Sequence, residues 1–505
     1  MSTLKEPIRQ QRLDEYTKQR TELIAEERGH RFDTQVIARA TKEEKRAVEI
    51  VNALRAKEAK EIWRASPEKL MYPGMEFLTA KKTIEEILLG ALNKYGYFQM
   101  PKGAILHGHM DAMCDANFLY KEALKYPQMH IRVDSAITSD SPWPLPQFRP
   151  LTADSSAKNI NAPSLASSDY ILKSWVPLKR ARDIFEYGKE AFDKWIVGAM
   201  MINPKEIWEK FGSTFRVAGG MIRYEPIMKE YMRQVLLSSI EDGISYVELR
   251  INFYYKLAIR EDGSETLAHS DYLVMLGDVI KEVKEKMKAE NRGDEFVGAK
   301  VIYTTLRFVT NEELAWYLED CMTLKKEFPD LIAGFDLVAQ EDTNNPLIYY
   351  IESLARPWMT EVQQIAICMT RCYSEQSELA MGEFKGYIRD IGIYYAQVFA
   401  GQASGAHEDV QGQSHLQRLT SSMPMHPLPV LLNNGVAVAL CPDDPSVFGN
   451  MELGGKYGFP AGTRALTYGV RKYSSLDADA KEQAIGLWEK RWNAFIEEIV
   501  NSVTP

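Results

Sequence analysis

Hydrophobic positions in residues 9–62 recur at helical spacing (Leu23, Ile24, Val36, Ile37, Val48, Ile50, Val51, Leu54) among dense Glu, Lys, Arg and Ala. That pattern predicts two amphipathic helices. The period changes at Gly103-Ala104-Ile105-Leu106, an apolar run that reads as a strand. Residues 136–170 are rich in Ser, Pro, Asp and Asn and read as a long loop or insertion. From Val217 onward, strand patterns alternate with helical ones. Strands are expected at Tyr246–Asn252, Ala299–Leu306, Leu331–Val338, Ile393–Ala400 and Gly435–Cys441, with helices near 226–241 and 311–328. This alternation implies a parallel sheet in an α/β fold, either doubly wound or closed as a (β/α)8 barrel. No Gly-rich phosphate loop follows the first strand, which argues against a dinucleotide site.

The first strand ends in His107-Gly108-His109, with Asp111 two residues on. Residues two apart on a strand share a face, so both imidazoles aim at one spot. Neutral imidazole is the usual nitrogen ligand of zinc and similar ions. The last strand ends in Asp443-Asp444-Pro445. Alone, that string reads as a turn capping a helix. In a closed barrel, however, the first and last strands are neighbours, and chemistry sits at strand C-termini. Two imidazoles and a carboxylate can then share one ion.

Composition narrows the partners. The 505 residues carry a net charge of −9, giving no broad electropositive face for nucleic acid or an anionic membrane. Five cysteines form a scattered set with neither a disulfide framework nor paired zinc-finger spacing. Residues 1–20 are polar and charged without an apolar core, and no run is long enough to span a bilayer. A soluble, cytoplasmic protein is expected.

Three segments together resemble the adenosine deaminase family: Met100-Pro101-Lys102-Gly103 through Ala112, Gly334 through Asp342, and Asp443-Asp444-Pro445. The resemblance is closest to the adenosine deaminase-related growth factors, and runs from about residue 15 to 450 and again from Tyr473 to Val500. It implies a TIM-type (β/α)8 metallohydrolase barrel with an N-terminal helical arm (1–90), a barrel (91–505) and an insertion with lead-in helices (113–215). It also implies conversion of adenosine and water to inosine and ammonia, with one zinc ion (Zn2+) per chain. His107, His109 and Asp443 match the metal ligands, Asp443 also orienting the attacking water. Asp444 matches a purine contact and Asp111 a ribose contact. Ala339 stands at a position usually held by glycine, where backbone approaches the base. The implied partner is a purine nucleoside, and the helical arm suggests a homodimer. Some members of the resembled subgroup are secreted.

The chain departs from the family at its catalytic centre. The His-Ala-Gly-Glu motif of the fifth strand reads Phe399-Ala400-Gly401-Gln402 here. Phenylalanine cannot ligate a metal, and the Gln402 amide replaces an acid without carrying a titratable proton. The Gly-His-Gly strand end that follows in the family has no counterpart. Only 33 residues separate Gln402 from Val436, a shortened segment (403–435) where two strands and three helices are expected. A single βαβ unit takes about 30 residues. Six barrel strands are therefore recognisable, an incomplete set. His407 and Glu408 lie close enough in sequence to substitute for the lost groups, as does His415, although a solvated polar loop is the simpler reading. Two accounts stay open: a zinc-dependent deaminase altered or incompletely read, and an inactive relative serving as a binding or interaction module.

Overall fold

The computed structural model describes residues 6–29, 31, 34–61, 101–139, 142–201, 207–339, 344–345, 347–350, 352–354, 366–367, 395–397, 439–441, 444–447 and 474–502. Helices α1 (Glu6–Gly29), α2 (Thr34–Arg39) and α3 (Lys42–Glu61) come first. Three helices thus replace the two expected, and α3 starts at a reciprocal cap. The Thr41 hydroxyl accepts from the Glu44 N–H at 3.1 Å, and the Glu44 carboxylate accepts from the Thr41 N–H at 2.8 Å.

Strand β1 (Gly103–His109) runs into a short 3-10 turn, Met110–Ala112, and α4 (Ala116–Ala123). The insertion then supplies β2 (Met129–Arg132), β3 (Gln147–Pro150), α5 (Ala153–Lys158), β4 (Val176–Pro177), α6 (Leu178–Asp183) and α7 (Lys189–Ala199). Its three strands form an antiparallel sheet in the order β3-β2-β4. The stretch read as loop therefore holds β3 and α5. Its polar sequence conceals them because each is at most six residues long.

Helices α8 (Ile207–Ile222) and α9 (Glu225–Glu241) lead into β5 (Ile244–Asn252). The succession continues through α10 (His269–Ala289), β6 (Gly298–Leu306), α11 (Asn311–Glu327) and β7 (Ile332–Val338). Strands β8 (Ala366–Ile367), β9 (Tyr395–Gln397) and β10 (Ala439–Cys441) precede the last helix, α12 (Ala478–Ser502). Five strands form a parallel sheet in the order β1-β5-β6-β7-β8, and β9 and β10 form a separate parallel pair. The described residues thus contain seven parallel strands rather than six. The extra one, β8, is too short to show a period. The expected α/β architecture is present, and β10 packs beside β1, as expected for the last and first strands.

One sheet face carries Val247, Leu249, Ile251, Val301, Tyr303 and Phe335 into the main core beneath α9, α10 and α11. The opposite face, with Ala104, Leu106 and Tyr246, packs on Ala484 of α12. The same helix buries Phe495, Ile496 and Ile499 against Ala47 and Ile50 of α3. Burying each large side chain contributes about 1.5–3 kcal/mol. Indole N–H groups of α12 tie both neighbours down: Trp488 donates to the Pro101 carbonyl and Trp492 to the Glu44 carboxylate, each at 2.8 Å. Among the described residues, no helix is long and apolar enough to cross a membrane.

Candidate metal and nucleoside site

Register decides where the two histidines point. On β1, Ala104 pairs with Tyr246 and Ile105 with Val247; further on, Gly108 pairs with Leu249 and His109 with Arg250. Three steps on β1 match two on β5, so one extra residue is accommodated between Ile105 and Gly108 as a β-bulge. Strict alternation from Ile105 would turn His107 and His109 toward the helix-covered core. The bulge reverses the parity, and His109 comes level with Arg250 on the opposite face. Gly108 takes the core side, where an added Cβ would lie 2.5 Å from Met113 Sδ. A side chain at the position between the histidines would have to displace the Met113 thioether.

The imidazole centroids of His107 and His109 are 5.3 Å apart with planes inclined by 60°. His107 is fully buried, and the edge of Phe215 lies against His109, 6.5 Å between centroids. Two converging nitrogen donors suit a borderline divalent ion such as zinc. Among the described residues, no three His, Cys, Asp or Glu side chains assemble into a metal cluster. The third expected ligand, Asp443, lies outside the described residues.

Its neighbour Asp444 is described and is 1% exposed. The segment it belongs to is fastened to the 3-10 turn that follows β1, since the Ser446 N–H donates to the Ala112 carbonyl at 2.9 Å. Asp111 sits on the intervening 3-10 turn. Burial raises its carboxyl above the ordinary 3.8, opposed by the charge of His109. Ala339 follows β7 with φ of 96°, a left-handed conformation that favours glycine. Phe399, Gln402, His407, Glu408 and His415 all lie outside the described residues.

Two residues not anticipated from the sequence complete this face. Arg250 Nε donates to Asp336 Oδ2 at 2.8 Å, with the side chains 0% and 4% exposed. A second guanidinium nitrogen donates to the Leu106 carbonyl at 3.2 Å, within the bulge. Asp336 Oδ1 accepts from the Leu337 N–H at 2.8 Å. Burial raises the Asp336 carboxyl, opposed by Arg250 and Arg307. A signal was present in the charges inside the apolar strands Tyr246–Asn252 and Leu331–Val338, because buried charges require partners. Below this pair, Glu248 accepts from the Tyr246 hydroxyl at 3.1 Å and from the Ser475 N–H at 2.6 Å.

No family model matches this chain. It is 27% identical over 462 residues to adenosine deaminase 2-A of Danio rerio, covering 84% of this chain and 85% of that protein. It is 25% identical over 512 residues to adenosine deaminase 2 of Homo sapiens, covering 95% and 93%. Among solved structures, the apo N6-methyl-AMP deaminase from Arabidopsis thaliana covers 77% of this chain and 96% of its own at 11% identity, with a TM-score of 0.48. Over most of its length, this chain resembles adenosine deaminases of the adenosine deaminase 2 type.

Proposed function

We propose that this chain is a zinc- and purine nucleoside-binding protein of adenosine deaminase type, built on an incomplete (β/α)8 barrel, with little deaminase turnover of its own. The observation that carries this reading is the bulged end of β1, which turns His107 and His109 to one face while Ser446 holds the Asp444 segment against the 3-10 turn that follows the strand. His107, His109 and Asp443 would hold the ion. Zinc, when bound, makes a coordinated water acidic enough to serve as a nucleophile near neutral pH. Asp443 would also orient the attacking water, Asp444 would meet the purine, Asp111 the ribose, and the Ala339 backbone would approach the base. Deamination also needs an acid to protonate the purine ring. Gln402 has no such proton to give, and Phe399 removes a ligand.

Two measurements test this. Atomic absorption on the purified chain is expected to find about one zinc per chain by the family's ligand count, lost in His109→Ala; unchanged stoichiometry in the variant counts against the site. Ammonia release from adenosine is expected to stay at background with zinc present. A robust zinc-dependent rate would overturn the low-turnover reading and implicate His407 and Glu408.

A second reading, an incompletely read gene product, is favoured by the 33 residues between Gln402 and Val436. A transcript encoding about 40–50 further residues with Gly-His-Gly near Gln413 would establish it, a length scaled from the βαβ unit. The proposal includes a homodimer through the N-terminal helices, where Leu13, Tyr16 and Leu23 of α1 are exposed.

A further inference from the structure

We infer that Arg250 and Asp336 are positioning residues, which hold the bulge of β1 in the register that turns His107 and His109 toward the metal. The inference rests on the zinc-site reading above and adds the device that builds the site. The extra residue between Ile105 and Gly108 interrupts the β1–β5 ladder. At that interruption the guanidinium of Arg250 reaches across and donates to the Leu106 carbonyl, one residue before His107. Another of its bonds runs to Asp336, which accepts from the Leu337 N–H on β7. A chain of hydrogen bonds therefore links β7 through β5 to the bulge.

A buried ion pair is weak evidence for stability, because desolvating both charges offsets their attraction. A role in specifying geometry fits better. The register it fixes is bistable in a simple sense: with the bulge, the imidazoles face Arg250; without it, they face the helical core. Only a planar fork spans a carboxylate on one side and a carbonyl on the other, so lysine is no substitute. The acid has a second duty. Arg250 is level with His109 on the adjacent strand, about 5 Å away by sheet spacing. An unbalanced cation there would repel a divalent ion, and Asp336 cancels it.

The experiment compares Arg250→Lys, Asp336→Asn and a control, Tyr246→Phe, in the full chain. Tyr246 shares strand and face with Arg250 but bonds Glu248 and Ser475 instead. Zinc affinity is measured by competition with a chromophoric chelator, and amide hydrogen exchange of peptides 103–109 and 298–306 is followed without metal. Arg250→Lys is expected to weaken zinc binding by about 10-fold or more, the usual effect of losing a ligand-orienting partner. It is also expected to speed exchange in 103–109 while leaving 298–306 protected. Tyr246→Phe is expected to lower the unfolding midpoint and leave zinc affinity unchanged.

A folded Arg250→Lys with wild-type zinc affinity and wild-type exchange would overturn the inference, as would an equal loss of affinity in Tyr246→Phe. Should Arg250→Lys fail to fold, the isosteric Asp336→Asn gives the same two readouts and decides by the same criteria. If the unaltered chain takes up no zinc, the functional reading fails, and exchange of 103–109 alone decides the positioning role.

Discussion

Ala339 shows how much a single backbone angle can carry. At φ of 96°, its Cβ sits in a conformation that costs an L-residue about 1 kcal/mol or more. Ala339→Gly is therefore expected to stabilise the protein by about 1 kcal/mol, partly offset by the freer unfolded chain; urea melts measure it. Glu248 supplies a pH effect of definite sign. Burial raises its pKa above 4.5 despite hydrogen bonds from Ser475 and Tyr246. The folded state then binds the proton more tightly than the unfolded one, so stability falls as pH rises from 4.5 through the raised value. Glu248→Gln is expected to flatten that decline, with the variant gaining on wild type at pH 8 relative to pH 5 in paired denaturant melts. His107 and His109 were legible in the sequence as a converging pair. The reason they converge was not, since the parity of β1 depends on register with β5, some 140 residues away in the chain.

Among elements, the strands were the most legible. Each of the six expected contains a strand, because long apolar runs with a period of two have few other uses. Strand β8 and those of the insertion were not, being short and dependent on sheet partners. The break before α3 was readable in principle from Thr41-Lys42-Glu43-Glu44, whose hydroxyl and carboxylate form the cap. Tertiary docking of α3 on α12 was not readable, since nothing local couples Ala47 to Ile496. Ile496→Ala is expected to cost about 2–4 kcal/mol, as for other buried aliphatics. It should also raise protease cleavage within 42–61 while sparing 244–252, which limited proteolysis with mass mapping checks. Equal loss of protection in both segments would contradict a local docking role.

For the whole molecule, the proposed zinc site would couple metal binding to the fold through β1. An ion that binds only the folded chain adds about 2.7 kcal/mol at a free concentration 100-fold above Kd. Zinc is accordingly expected to raise the melting temperature, EDTA to reverse the gain, and His109→Ala to abolish it; a zinc-independent melt would argue against the site. The α/β class was legible from alternating periods, and the helical arm from its charge-rich repeat. Whether the sheet closes was not, because Phe399 to Val436 lacks the patterns that closure requires.

The clasp formed by α12 bears on the order of assembly during translation. Chains emerge from the ribosome N-terminus first and fold in units, yet the apolar side of α3 meets its partner only in residues 478–502. Ala47 and Ile50 must wait, solvent-facing, while more than four hundred residues are synthesised. Helix α3 is thus made long before its partner and seated only after it, and a nascent chain stalled before Ala478 would present that sticky stripe to chaperones.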